Sequence, residues 1–154
     1  MNINPQQTPS RQKVVLYARV SSKEQEKEGF SIPSQLKLLN KYAEDNNVEI
    51  VQEYVDVETA KKSGRTGFTE MIKFLRNEAK SKKLFSCRTL LVEKTDRLYR
   101  NLKDWVTIDE LDLEIHYVKE NVILSQASRS SEKFMHGIKV LMAKNYSQFH
   151  MTSY

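Results

Sequence analysis

Between Val14 and Val20 the chain reads Val-Val-Leu-Tyr-Ala-Arg-Val, a nearly continuous apolar run that stops at the polar Ser21-Ser22 pair. A run this short and this apolar, closed by polar residues, reads as a buried strand. The next segment supplies a layer to cover it. Ser31 can cap a helix with Pro33 in its first turn, where a missing N–H costs nothing. Ile32, Leu36, Leu39 and Ala43 then recur at helical spacing until Asn46-Asn47, and Val48 to Val57 reads as a second strand. Strand, helix, strand in that order is a βαβ unit with parallel strands and a right-handed crossover.

The alternation continues. Thr66 opens a helix with Phe68, Met71, Ile72, Leu75 and Ala79 on one face, and Thr89 to Glu93 is a third strand. Leu102, Trp105, Val106 and Leu111 mark a third helix. Leu113, Ile115 and Tyr117 alternate with Glu114 and His116, as in a half-exposed strand at a sheet edge. The expected class is therefore α/β, a sandwich of helices around a small, mostly parallel sheet. A last helix is expected from near Ser131 to about Phe149. Its Phe134, Met135, Ile138, Leu141, Met142 and Phe149 spread over more than one face, which predicts an oligomerisation element. The expected division is a disordered lead-in over 1–12, a domain over 13–129, and the start of the long helix over 130–154.

Composition narrows the function classes. The 154 residues suit one domain, and 39% hydrophobic with 29% charged residues is an ordinary globular composition. No apolar run approaches the roughly 20 residues of a membrane span, and the polar N-terminus has no signal-peptide core. A single cysteine, Cys87, excludes an internal disulfide and fits a reducing cytoplasm. The formal charge of +5 permits an anionic partner without naming one. With 4 glycines in the chain and no phosphate-cradling loop, nucleotide binding is not expected.

In parallel sheets, ligands gather at the carboxyl ends of the strands. Here the first strand end offers Arg19, Ser21, Ser22 and Gln25. The second offers Asp56, Glu58 and then Arg65, and the third offers Asp96, Arg97 and Arg100. Together they predict an anion site. His116, His136 and His150 lie late in the sequence, away from these loops, so a Ser-His-Asp arrangement is not expected. Tyr99 and Trp105 read as packing residues.

Tyr17-Ala18-Arg19-Val20-Ser21 with Gln25 resembles the nucleophile motif of the resolvase/invertase family of serine recombinases. Ser63-Gly64-Arg65 with Gly67-Phe68 is similar to that family's second arginine loop, and Glu93 to Asn101, with its Asp96-Arg97-Leu98-Tyr99-Arg100 core, to its third motif. The resemblance covers roughly Lys13 to Gln148. The segment Glu28-Gly29-Phe30-Ser31-Ile32 before Gln35 looks like the large serine recombinase branch. Members of the family continue into a DNA-binding region, which is not expected within these residues.

The resemblance implies a resolvase-like three-layer sandwich and attack on a DNA phosphate by Ser21, giving a 5′-phosphoserine intermediate. Arg19, Arg65, Arg97 and Arg100 would bind the phosphate, since planar guanidinium forks hold two of its oxygens. Asp96 would either donate a proton to the leaving oxygen or orient Arg19 or Arg97, with Gln25 and Gln35 in phosphate-side or arginine-orienting roles. No cofactor, metal, nucleotide or membrane is implied. The implied partners are DNA and further copies of the chain, as a dimer or a synaptic tetramer, in the cytoplasm of a bacterium or phage host. Two alternatives stay open at this point. Asp56, Glu58, Glu93 and Asp96 could hold Mg²⁺ in a metal-dependent nuclease, or the chain could be a non-catalytic dimerisation module.

Overall fold

The computed structural model describes residues 11–24, 31–59, 61, 65–81, 83–125, 136–139 and 142. A five-stranded sheet of order β2-β1-β3-β4-β5 lies at its centre. β1 (Lys13–Ser21), β2 (Glu49–Glu58), β3 (Thr89–Val92) and β4 (Glu114–Tyr117) are mutually parallel, and β5 (Val122–Leu124) runs antiparallel to β4. Val14, Val15, Leu16, Tyr17 and Ala18 are all fully buried, as an apolar strand flanked by β2 and β3 and covered on both faces must be.

Strand alternation sorts these side chains into two cores. Val14 and Leu16 pack with Leu39 and Ala43 of α1 (Ile32–Asp45) and with Leu91. Val15 and Tyr17 pack on the other face with Phe68, Met71, Ile72 and Leu75 of α2 (Thr66–Lys80) and Ile108 of α4 (Leu102–Asp109). Ser31 caps α1 as its sequence predicts, its hydroxyl accepting the Ser34 N–H.

Several expectations are corrected. The β4 strand is not an edge, because β5 pairs along its outer side. The first strand runs one residue past its apolar stretch, so Ser21 is the last residue of β1, in register with Glu58. Ala79 is exposed, and so are Leu102 and Val106 of α4, whose inward face carries Asp104 and Ile108 instead. A short helix that the sequence did not announce, α3, spans Thr95–Leu98 with Lys94 at its N-cap. Gln12 belongs with the domain rather than the lead-in: its amide donates to Thr89 Oγ1 at 2.7 Å and Glu114 Oε2 at 2.8 Å.

Residues 136–139 are helical, and Gly137 lies so close to Trp105 that a Cβ there would sit 3.1 Å from the indole. His136 packs on the rings of Tyr117 and Tyr99. The rest of the helix expected near 131–149, the lead-in over 1–10 and His150 lie outside the described residues. Cys87 is fully buried, its thiol directed at the carbonyls of Lys13 and Thr89. Among the described residues no helix is long and apolar enough to cross a membrane.

Candidate active site

Because β1, β2 and β3 are parallel, their carboxyl ends share one edge of the sheet, and the register decides who meets whom there. Arg19 lies beside Asp56 and Ser21 beside Glu58. Glu58 uses Oε1 to hold both Arg19 Nη1 and Arg100 Nε, each at 3.1 Å. Arg19 extends across the β3 end as well, its Nε donating to the Arg97 carbonyl at 3.3 Å and its Nη2 to the Asp96 carbonyl. Arg97 returns the contact, with Nη1 donating to the Arg19 carbonyl at 3.4 Å.

Arg65 arrives from the start of α2, and Asp56 sets that start. Asp56 is 3% exposed and accepts the N–H groups of Gly67 at 2.7 Å and Phe68 at 2.8 Å, the capping bonds that helix α2 gets from no side chain at its own N-cap. The Tyr17 hydroxyl donates to the same carboxylate at 2.6 Å. Burial, followed by this bond to a carboxylate, raises the Tyr17 pKa well above a phenol's usual range, so it stays a donor. The approach is tight enough to require glycine at 67, where a Cβ would lie 2.8 Å from the Val55 carbonyl oxygen. Arg65 stacks over the Phe68 ring and pairs through Nη2 with Asp104 Oδ1 at 2.7 Å. Asp104 Oδ2 accepts the backbone N–H of Arg100 at 2.8 Å. Arg65 Nη1 is buried and, among the described residues, has no acceptor.

Ser21 joins the cluster through Glu24, whose N–H donates to Ser21 Oγ at 3.2 Å and whose Oε1 accepts the Ser21 N–H at 3.3 Å. Glu24 Oε2 pairs with Arg97 Nη2 at 2.7 Å. That hydrogen bond is the main reason the Glu24 carboxyl is pulled down to about 2, against a smaller opposing effect of burial. Gln35 of α1 is fully buried and brackets the Arg19 peptide, accepting its N–H at 3.2 Å and donating to its carbonyl at 2.9 Å. Gln35 thus touches backbone, in an arginine-orienting position.

The structure therefore brings together Ser21, Arg19, Arg65, Arg97 and Arg100 in one continuous web of ion pairs and hydrogen bonds. Asp96 enters it by its carbonyl while the residue is exposed in the first turn of α3. Gln25 lies outside the described residues. Sequence reasoning missed Glu24, the pairing function of Glu58, and Asp104. The carboxylates considered for a metal are engaged otherwise: Asp56 by α2, Glu58 by two arginines, and Glu93 by Arg97 and Lys119. Among the described residues no group of three or more His, Cys, Asp or Glu side chains converges to hold a cation.

The family model for the resolvase N-terminal domain matches residues 14–152. The chain belongs to the resolvase family. It is a catalytic domain of the serine site-specific recombinases. Among solved structures, this resolvase domain is similar to the N-terminal catalytic domain of TP901-1 integrase, at 27% identity and a TM-score of 0.63 over 91% of this chain and 98% of that one. It is also similar to a resolvase family site-specific recombinase from Streptococcus pneumoniae, at 25% identity and a TM-score of 0.65 over 92% and 94% of the two chains. The catalytic domain of ISC1926 TnpA, an IS607-like serine recombinase, shares the fold at 20% identity and a TM-score of 0.53 over 82% and 77%. No curated protein matches the sequence. Serine recombinase domains act on DNA and oligomerise.

Proposed function

We propose that this domain cuts DNA through attack of Ser21 Oγ on a scissile phosphate. The Oγ–P bond forms, the bond from phosphorus to the 3′ oxygen breaks, the serine proton leaves, and the departing 3′ oxygen gains one. The 5′ end stays covalently on Ser21, and attack by a 3′-hydroxyl on that link rejoins the strands without ATP. One observation carries the reading: the single web of contacts that links a half-buried serine at a strand end to four arginines from three chain segments.

Phosphoryl transfer depends on positioning and charge stabilisation, and this web supplies both. Arg100, at 33% side-chain exposure the most open of the four, and Arg65, with Nη1 short of an acceptor, are assigned to the phosphate oxygens. Arg19 and Arg97 tie the ends of β1 and β3 together and favour the serine alkoxide, and Arg97, joined to Ser21 through Glu24, is assigned to the phosphate as well. The Asp96 carbonyl orients Arg19, and its exposed carboxyl is assigned either to proton delivery at the leaving oxygen or to orienting Arg19 or Arg97. Gln25 is assigned to the phosphate side. The domain's partners are DNA and copies of itself, as a dimer and as a tetramer during synapsis through the segment after residue 130, in the cytoplasm of a bacterium or phage host.

The test is trapping of a covalent complex on DNA carrying the recombination site. Ser21→Ala is expected to abolish the complex with the fold intact, and Arg65→Lys to reduce it by on the order of 10³ because the planar fork is lost. Complex formation is expected to persist in excess chelator. DNA trapped on any other residue, or activity that disappears with EDTA, overturns the assignment in favour of a metal-dependent nuclease.

A further inference from the structure

Glu24 sits among the reacting groups, yet nothing in the reaction above uses it. Its two carboxylate oxygens take Arg97 Nη2 at 2.7 Å and the Ser21 N–H at 3.3 Å, while its own N–H engages Ser21 Oγ at 3.2 Å. A carboxylate and a phosphodiester each offer two oxygens that share negative charge, and a guanidinium fork binds both in the same manner. The two anions would compete for the same donors, Arg97 Nη2 and the Ser21 N–H, and at that range they repel.

The pair has one fixed and one movable end. The Arg97 side chain is 5% exposed and Glu24 is 35% exposed. The other carboxylates paired with the arginines are more enclosed, Glu58 at 19%, Asp104 at 10% and Glu93 at 2%. Those three read as framework, and Glu24 as the group that can leave. Nor is Glu24 suited to take the serine proton, because a carboxyl held near 2 by Arg97 is a weak base at neutral pH.

We propose that Glu24 is an internal anion that occupies the phosphate position on Arg97 and Ser21 in the DNA-free domain, and that the scissile phosphate engages only by displacing it. The proposal rests on the assignment of Ser21 to DNA cleavage above. Its consequence is discrimination. A small free anion competes with a tethered carboxylate at a disadvantage, whereas a phosphate delivered by a DNA backbone already bound elsewhere arrives at a high effective concentration.

The proposal is tested without DNA, by titrating inorganic phosphate into the ¹⁵N-labelled chain and following the Ser21 and Arg97 amides. Glu24→Gln is expected to bind phosphate about tenfold more tightly than the parent at those amides. Glu110→Gln makes the same charge change at an exposed site in the turn after α4 and is expected to match the parent. Glu24→Asp keeps the charge on a shorter arm, is expected to fall between, and serves if the glutamine variant does not fold. Equal affinity in the Glu24 variants and the parent overturns the proposal, as does an equal gain in Glu110→Gln. Covalent trapping of DNA on Ser21 is read separately. Trapping with unchanged phosphate affinity sinks the displacement proposal alone, and the expected phosphate result without trapping sinks the nucleophile assignment alone.

Discussion

Asp56→Asn keeps the side-chain volume and exchanges one acceptor oxygen for an NH₂. Asp56 is buried and all three of its partners are donors: the Gly67 N–H at 2.7 Å, the Phe68 N–H at 2.8 Å and the Tyr17 hydroxyl at 2.6 Å. Asparagine has a single oxygen, so one helix N–H must face its amide nitrogen. The tyrosine hydroxyl can turn to accept from that nitrogen, but a backbone N–H cannot. Losing a hydrogen bond to a charged acceptor costs about 1.5–3 kcal/mol, and leaving the N–H buried without a partner brings the expected total to about 2–4 kcal/mol. Tyr17→Phe removes the hydroxyl alone and is expected to cost about 1–2 kcal/mol. Against the roughly 5–15 kcal/mol that holds a domain folded, the asparagine variant should show a clear drop in urea midpoint by circular dichroism. The damage is local to the first turn of α2, so it reaches Arg65, which pairs with Asp104 at 2.7 Å. Covalent complex formation, measured where the variant is still folded, should therefore fall as well. A variant within about 0.5 kcal/mol of the parent would refute the claim that this one carboxylate caps α2.

Three further outcomes follow from the same packing. Gln35→Leu removes the partner of the Arg19 N–H and one of two donors to its carbonyl, which keeps Arg97 Nη1, and is expected to cost about 1–3 kcal/mol in urea unfolding, with an unchanged midpoint counting against it. Gly67→Ala places a methyl 2.8 Å from the Val55 carbonyl oxygen and should destabilise by about 1–3 kcal/mol, whereas the same glycine-to-alanine change at an open helical position would be favourable. Burial keeps the His136 pKa below 6.5, with Glu120 opposing that shift and Lys139 adding to it. The folded form thus holds a neutral imidazole, so the unfolded chain gains protons first and docking of residues 136–139 weakens as pH falls below 6.5. The single tryptophan, Trp105, touches Gly137 and reports this by fluorescence, and emission that stays flat from about pH 7.5 to 5.5 would exclude it.

The central strand and the arginines were legible in the sequence because both are dictated by strong local constraints. A run such as Val14 to Ala18 can only be buried, and parallel strands must bring their polar ends to one edge. What escaped has a common physical cause: its meaning depends on a partner far along the chain. Glu24 reads as one charge in a polar stretch until the fold sets Arg97 against it. Asp104 follows helix-surface chemistry in sequence, yet the two arginines on its flank turn it inward. Val122-Ile123-Leu124 is too short to show a period, and without it β4 looks like an edge. The apolar positions Leu102 and Val106 misled in the opposite direction, since α4 turns Asp104 and Ile108 to the domain instead.

Cys87 lends the molecule an experimental convenience. It is the chain's only thiol, it is fully buried, and burial, the largest of several influences, pushes its pKa above the ordinary value. Thiolates rather than thiols react with maleimides and similar reagents, so the native chain is a nearly silent background for such chemistry. A cysteine introduced at an exposed position, such as Lys61 or Met142, would be labelled selectively without first removing the native one. Dye or spin-label pairs placed that way would give distances between protomers directly, with the wild-type core left as it is.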